Sequence, residues 1–411
     1  MTNGDPMPLP RQVKQFYYIT HMQNLRSIMQ RGVLSHQNIE SRNIPFKPIY
    51  NSQIVSNRRN RTTPAGKSLW EYANLYFQPR NAMLFQVTRT VGPSEVVVLA
   101  ISQDIMAQPD SFISMGNAAS TDSAIVPSGD AKMAIKEISK WIDNEWWTEE
   151  VGLKRKMMAE LLVPSGVAAE HILSVYVGTD AAQAEAQTHL TNAGADKTPV
   201  ILAPEIFFLP ARVEPLTRLL SVAEGDMFFS TMQTLTISVN TVGVMGKGLA
   251  SRAKYQFPDV YVRYQDVCRA RTLRMGQPYL YKRESSLDYQ LAVEPEKLPN
   301  GNGATWFLLF ATKRHWREDS DMAGIEEGLN WVLNNYQAEG MKSLAMPALG
   351  CGLGRLKWED VGPLMCSYLS RMEIPTRIYL PAEKKVTQEH MSPEFLLAGS
   401  ASNTPNERLG A

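Results

Sequence analysis

The chain has 411 residues, more than one hydrophobic core usually organises, so two domains of roughly 200 residues each are expected. Its 44% hydrophobic and 20% charged residues are ordinary for packed globular domains and argue against extensive disorder. A formal charge of +1 excludes a whole-molecule basic field, so any contact with nucleic acid has to be local.

In chain order, the opening MTNGDPMPLPRQVK has no apolar run of the kind a signal peptide needs. No later stretch reaches the ~18 uncharged apolar residues of a membrane span, which together with the N-terminus gives a cytoplasmic, non-membrane expectation. Phe16 to Thr20 reads as a strand, followed by a helix over Met22 to Arg31 with Leu25, Ile28 and Met29 at helical spacing and Gly32 as its stop. Ser35 to Arg80 is polar and aperiodic and reads as a long loop or partly helical excursion. Val96 to Ile101 is a β-rich run, and Ile135, Ile138, Trp141 and Ile142 mark an amphipathic helix. The apolar segment Met157 to Val163 encloses Glu160, an acidic side chain whose burial needs a reason. Ile172 to Val177 and Val200 to Phe208 complete a mixed sheet with separate helices, an α+β pattern.

Pro210 and Pro215 bracket a break, giving a first domain over 1–208 and a linker over 209–215. Over 216–382 strands alternate with helices: Leu235 to Val239, a helix after Gly248, Trp306 to Ala311, a helix around Ile325 to Leu333, Ser343 to Met346, Trp358 to Leu369 and Arg377 to Leu380. That alternation predicts an α/β domain, a mixed sheet flanked by helices. The polar stretch 383–411 reads as a disordered tail. Cys268, Cys351 and Cys366 lack CxxC spacing, which fits a reducing compartment and no metal site.

Two glycine-rich turns follow strands, Gly243-Val-Met-Gly246-Lys-Gly248 and Gly350-Cys351-Gly352-Leu353-Gly354. One such turn is equally an ordinary tight turn. Two after separate strands point to a diphosphate, because glycine lets backbone N–H groups approach phosphate oxygens at a helix start. In the first domain, Glu160, the basic turn Arg58 to Arg61 and the aromatics Tyr17, Tyr18, Tyr76 and Phe77 suit a cleft for a phosphate-bearing aromatic ligand, but equally a core strand and a solvated arginine run.

The runs Val239-Asn240-Thr-Val-Gly-Val-Met-Gly-Lys-Gly-Leu-Ala250, Ala311-Thr-Lys-Arg-His-Trp-Arg317 and Met346-Pro-Ala-Leu-Gly-Cys-Gly-Leu353 resemble the DarG antitoxin branch of macrodomains over about Leu216 to Pro381. The resemblance implies an ADP-ribose pocket with Asp226 at the adenine, Met227 beside it, Asn240 near the distal ribose, and Gly246, Gly248, Gly350, Cys351, Gly352 and Leu353 around the diphosphate. Lys313 matches the lysine credited with attacking or polarising ribose C1″; the bland alternative is a solvated lysine of the Lys313-Arg314 run. A related glycohydrolase branch places an aspartate after the GCGL turn, where this chain has Gly354, so Lys313 acts alone or with Asn240.

Tyr17-Tyr-Ile-Thr-His-Met-Gln-Asn-Leu25, Asn57-Arg-Arg-Asn-Arg61, Tyr76-Phe-Gln-Pro-Arg-Asn-Ala-Met83 and Lys156-Met-Met-Ala-Glu-Leu-Leu-Val-Pro164 are similar to the DarT toxins over about residues 10 to 208. That family implies an α+β ADP-ribosyltransferase fold that uses NAD to mark a base of single-stranded DNA, typically thymine. It places Glu160 near the 2″-hydroxyl, Arg59 at the reacting base, and Tyr18, Thr20, His21, Asn24, Leu25 and Met83 around NAD. Tyr18 stands where many relatives have a histidine, and His21 equally suits a cap for the following helix. Arg58, Arg61, Asn117 and Arg155 are the expected DNA contacts. The implied whole is a toxin-antitoxin fusion that writes and erases one mark. Its rivals are an RNA 2′-phosphotransferase joined to a macrodomain that processes phosphorylated ADP-ribose, and a non-catalytic binder of ADP-ribose or NAD. Oligomeric state is not legible.

Overall fold

The computed structural model describes residues 13–49, 57–142, 144–148, 152–298, 303–381 and 384–398. The chain divides into two compact units, Met1–Phe208 with Asp288–Gly301, and Leu209–Leu287 with Asn302–Ala411.

The first unit carries β1 (Gln15–His21), β2 (Val33–Leu34), β3 (Tyr72–Tyr76), β4 (Val96–Ser102), β5 (Phe112–Ser114), β6 (Ile125–Pro127), β7 (Glu160–Pro164), β8 (Gly166–Val167), β9 (Ile172–Val177) and β10 (Val200–Leu202). Eight form one sheet in the order β10-β9-β4-β1-β3-β7-β5-β6, and β2 pairs with β8. Only β9 and β10 run parallel in the large sheet; its remaining pairs are antiparallel. Val97, Leu99, Ile101, Val175 and Val177 project from β4 and β9 into a core shared with Leu25 and Met29 of helix Leu25–Arg31 and with Ala182, Ala186 and Leu190 of helix Asp180–Ala193. Burial of β4 on both faces explains why its sequence runs apolar without alternation.

The polar stretch from Ser35 is less open than its composition suggests. It contains helix His36–Ser41 and, in β3, a central strand whose neighbours are β1 and β7. The β-run at 200 ends at Leu202 and gives way to the single turn Pro204–Phe207, because Pro204 fits a first helical position and cannot donate to a ladder.

In the second unit β11 (Arg212–Pro215), β12 (Leu220–Glu224), β13 (Thr234–Asn240), β14 (Tyr279–Tyr281), β15 (Trp306–Lys313), β16 (Leu344–Pro347) and β17 (Thr376–Tyr379) form one mixed sheet, order β11-β12-β17-β16-β13-β15-β14. Its five central strands are parallel and its edges antiparallel. Helices Met322–Asn335 and Trp358–Leu369 pack Ile325, Leu329, Val332, Val361, Met365 and Leu369 onto β15, β16 and β17.

Three boundaries differ from the sequence reading. The expected linker 209–215 holds β11, which pairs in antiparallel register with β12 and so is sheet edge. Within the expected tail, Met391 and Leu396 are fully buried in the second core and Trp358 Nε1 donates to His390 O at 2.8 Å, because these apolar residues sit among polar ones too sparsely to show a period. Residues 383 and 399–411 of that tail lie outside the described residues. Finally, Asp288–Gly301, inside the expected second domain, belongs to the first unit. There Leu291 and Ala292 are fully buried, Trp147 Nε1 donates to Leu291 O at 3.1 Å, Lys154 Nζ to Ala292 O at 3.0 Å, and Glu294 N to Gln86 Oε1 at 2.6 Å.

No helix among the described residues is long and apolar enough to cross a membrane.

Candidate functional site

In the first unit Glu160 opens β7 and is fully buried. Moving a carboxylate out of water costs several kcal/mol unless its lone pairs are met. Here Arg58 Nη2 donates to both oxygens at 2.9 and 3.0 Å, Asn74 Nδ2 to Oε2 at 2.7 Å, and the Ala118 N–H to Oε1 at 2.9 Å. The donors come from separate elements for a geometric reason. On β3, Tyr76 is the register partner of Glu160, and two-residue alternation puts Asn74 on the same face.

Ala118 is delivered by a loop fastened from two sides. The Arg61 guanidinium donates to the carbonyls of Ala118, Ser120 and Ser123, Arg155 Nη1 donates to Ser123 Oγ at 3.0 Å, and the Asn117 N–H donates to Arg155 O at 3.0 Å. Asn117 Oδ1 accepts from the Ala119 N–H at 3.0 Å. Arg61, Asn117 and Arg155, expected on a DNA track, therefore hold the loop that completes the Glu160 site. Arg58, also expected there, is the ion-pair partner of Glu160. Arg59, expected at the reacting base, has other partners than Arg58: its guanidinium pairs with Glu40 at 2.7 Å and lies 4.7 Å from the centre of the Trp70 ring. The reason is local helical geometry, since adjacent residues of 57–60 project in different directions.

Beside Arg58, burial pushes the Tyr18 hydroxyl up to about 12 against the lowering effect of that guanidinium, and raises Tyr76 further with help from Glu160. Both phenols therefore stay protonated donors. Thr20 Oγ1 accepts from Asn24 Nδ2 at 3.1 Å, and Asn24 exchanges hydrogen bonds with the Lys47 backbone at 2.7 and 2.8 Å. His21 Nδ1 accepts from the Gln23 N–H at 3.2 Å, so it caps the next turn, and burial lowers its pKa. Leu25 is fully buried in the core rather than lining a cleft, and Met83 lies half-buried in the first turn of helix Ala82–Val91. The sequence reading missed Asn74, the Ala118 N–H and the His36–Trp70 stack, whose rings lie 4.4 Å apart. A polar Asn74 inside the apolar run Tyr72–Tyr76 was the available signal for the first.

In the second unit the carboxyl ends of β12, β13, β15 and β16 lead into the segments holding Asp226, the first glycine loop, the Lys313 run and the second glycine loop, the end of a parallel sheet where ligands bind. Asp226 Oδ1 accepts from the Phe228 N–H at 3.0 Å and Oδ2 pairs with Arg252 at 2.6 Å; Met227 is buried behind it. Asn240 ends β13 buried, with Oδ1 accepting from Tyr264 Oη at 2.9 Å and the Val242 N–H at 3.0 Å, and Nδ2 donating to Val244 O at 2.6 Å. Its side chain thus shapes the first glycine loop.

The glycine loops meet. A Cβ on Gly248, whose φ is +59°, would lie 3.2 Å from Leu353 Cδ1, whereas one on Gly246 would find only Val244 Cγ1 at 3.9 Å. Gly350 (φ +73°) and Gly354 close against Ser320, whose buried Oγ has no hydrogen-bond partner among the described residues. Gly352 is half-buried, and Cys351 is buried with its thiol pushed up to about 12 by desolvation; that S–H is directed at Leu349 O, which leaves backbone N–H groups as the donors these two residues offer a ligand. Lys313 Nζ donates to Glu318 O at 2.8 Å and Leu353 O at 3.4 Å, which sets the amine between its own segment and the second glycine loop. Burial lowers its pKa, Asp319 and Glu318 raise it, and Arg355 lowers it. These carboxylates, directly after the Lys313 motif, escaped the sequence reading; Asp319 pairs with Arg355 at 3.4 Å.

Residues 17–208 match the family model described as DarT, ssDNA thymidine ADP-ribosyltransferase, and residues 299–365 match that of the macro domain. The chain is 52% identical over 385 residues, 93% of its length and 98% of the relative's, to a DNA ADP-ribosyl transferase-DNA ADP-ribosyl glycohydrolase fusion protein of Thermosipho africanus. The solved structure of Thermosipho africanus DarTG in complex with ADP-ribose superposes with a TM-score of 0.88 at 51% identity, covering 93% of this chain and 100% of that one. A DNA ADP-ribosyl glycohydrolase of Thermus aquaticus is 32% identical over 166 residues, 40% of this chain and 42% of the relative.

Proposed function

The chain belongs to the family of DNA ADP-ribosyl transferase–DNA ADP-ribosyl glycohydrolase fusion proteins, and from that premise we propose how its own residues write and erase the mark. The first unit transfers ADP-ribose from NAD to a base, thymine, of single-stranded DNA; the second removes it, so toxin and antitoxin share one polypeptide. We place both reactions in the cytoplasm, which the three free cysteines suit.

In transfer, the bond from ribose C1″ to the nicotinamide nitrogen breaks and a bond from C1″ to a base nitrogen forms, through a sugar with oxocarbenium character. Glu160, met by Arg58, Asn74 and the Ala118 N–H, is a carboxylate already oriented for that transient charge. Asn74 and the fastened Ala118 loop are fixed, so Arg58 is the partner that yields one oxygen to the 2″-hydroxyl. A guanidinium already carries its proton and is too weak an acid to lose it, so Arg58 cannot act as the base; the Glu160 carboxylate takes the proton from the attacking base nitrogen, nicotinamide leaves neutral, and Arg58 offsets the charge developing on the base. Thr20, Asn24 and the Tyr18 hydroxyl wall the NAD side, with Met83 beside them.

In removal, the glycine loops hold the diphosphate through backbone N–H groups, and Asp226 stands at the adenine end. Lys313 acts at C1″. Burial favours its neutral amine, the form able to attack. Glu318 and Asp319 stabilise the ammonium that follows.

The observation that carries this reading is the fully buried Glu160 carboxylate met by donors from three separate elements, a cost without purpose in a binding module. Treating a thymine-containing single-stranded oligonucleotide with NAD and the Lys313→Ala protein should yield base-linked ADP-ribose by mass spectrometry, with little product from the unaltered protein. Dephosphorylation of 2′-phosphorylated RNA in place of that product would establish the phosphotransferase reading.

A further inference from the structure

Among the described residues Trp316 is the one tryptophan left exposed, at 48%, although an indole is the side chain with the most to gain from burial. It lies three residues beyond Lys313, a span of at most about 11 Å of chain. A few nucleotides of single strand cover that distance.

The ring is held in place rather than loose. The Arg317 guanidinium lies 4.5 Å from its centre, and the His315 ring lies 5.2 Å away at 33°. His315 Nδ1 accepts from the Arg317 N–H at 3.3 Å, and its own N–H donates to Glu318 Oε2 at 3.2 Å. Arg314 is anchored to Asp321 at 3.2 Å, and its carbonyl accepts from the Thr241 N–H and hydroxyl at 3.1 and 2.9 Å. The nearby acid Asp319 is paired with Arg355. Across the Lys313 amine stands Leu353, 58% exposed, whose carbonyl accepts from it. A preorganised indole backed by a guanidinium, next to the group that acts on a base–sugar bond, is the chemistry of a sequence-tolerant stacking site for an unpaired base.

We propose that Trp316, with Arg317 behind it, stacks an unmodified base flanking the ADP-ribosylated one, so that the glycohydrolase unit binds the DNA strand as well as ADP-ribose. The proposal rests on the removal activity assigned above. Its test compares release of ADP-ribose from an ADP-ribosylated single-stranded oligonucleotide and from ADP-ribosylated thymidine, using the full chain with Glu160→Gln as background to silence transfer. Trp316→Ala should raise KM for the oligonucleotide about tenfold with kcat little changed. It should leave the nucleoside reaction and calorimetric affinity for free ADP-ribose as they were, and Trp316→Phe should restore most of the loss. Equal KM values for the oligonucleotide before and after Trp316→Ala, or an equal loss on the nucleoside, would overturn the stacking site. No release from either substrate by the Glu160→Gln chain would instead remove the assigned activity itself.

Discussion

Glu160 and Arg58 are each other's solvent, and their substitutions separate chemistry from folding. Glu160→Gln keeps the shape but removes the charge, so transfer to DNA should fall about 10²- to 10³-fold, the cost of losing one preorganised electrostatic contact. It also strands a buried guanidinium, and a lower melting temperature should accompany the loss. Arg58→Ala should impair transfer to a comparable extent, whereas Arg59→Ala, losing an exposed pair with Glu40, should change it less than threefold; the reverse ranking in a gel-shift assay of modified oligonucleotide would reassign the two arginines. At Lys313 the sign of the pH effect follows from its surroundings. The neutral amine is the reactive form, so kcat/KM for release should rise with pH and level off below the ordinary lysine range, because burial lowers its pKa. The carboxylate of Asp319 favours the ammonium, hence Asp319→Asn should move that profile to lower pH, and Arg355→Ala should move it to higher pH.

At the scale of elements, the two glycine loops make opposite demands on their glycines. A methyl on Gly354 would meet Ser320 Oγ at 2.2 Å and the Gly350 carbonyl at 2.5 Å, so Gly354→Ala should distort the turn and cost at least tenfold in ADP-ribose affinity together with stability. Gly246→Ala has local room and an unstrained backbone; calorimetry should find weaker ADP-ribose binding with an unchanged melting temperature. These loops were legible because glycine after a strand is a backbone signal that survives any packing. Four strands of the second unit, β13, β15, β16 and β17, were legible because central parallel strands such as β15 read as unbroken apolar runs, whereas β11, β12 and β14 were not read. β3 was not, because Asn74 interrupts its apolar pattern to meet Glu160, so that the site's own requirement erased the element's signature. Helix Asp180–Ala193, rich in alanine and threonine, buries only Ala182, Ala186 and Leu190, too narrow a stripe to announce itself. Side-chain partners are less legible than element positions. Arg61, Asn117 and Arg155 fasten the loop that carries Ala118, through bonds that no residue pattern displays.

Across the whole molecule, the first unit's interior is assembled from two distant stretches of chain. Leu291→Ala in the intact protein should destabilise that unit by about 2–5 kcal/mol, the range for emptying a buried leucine site. The temperature at which transferase activity is lost should then fall, while that at which ADP-ribose binding is lost stays in place; a matching fall in both would show that the excursion supports the two units alike. The excursion also sets what a damaged gene can make. A reading frame ended by a stop codon anywhere between residues 209 and 287 drops Lys313 and the second glycine loop, and with the same stroke takes Leu291 and Ala292 out of the partner enzyme's interior. Truncation therefore disarms the poison along with the cure.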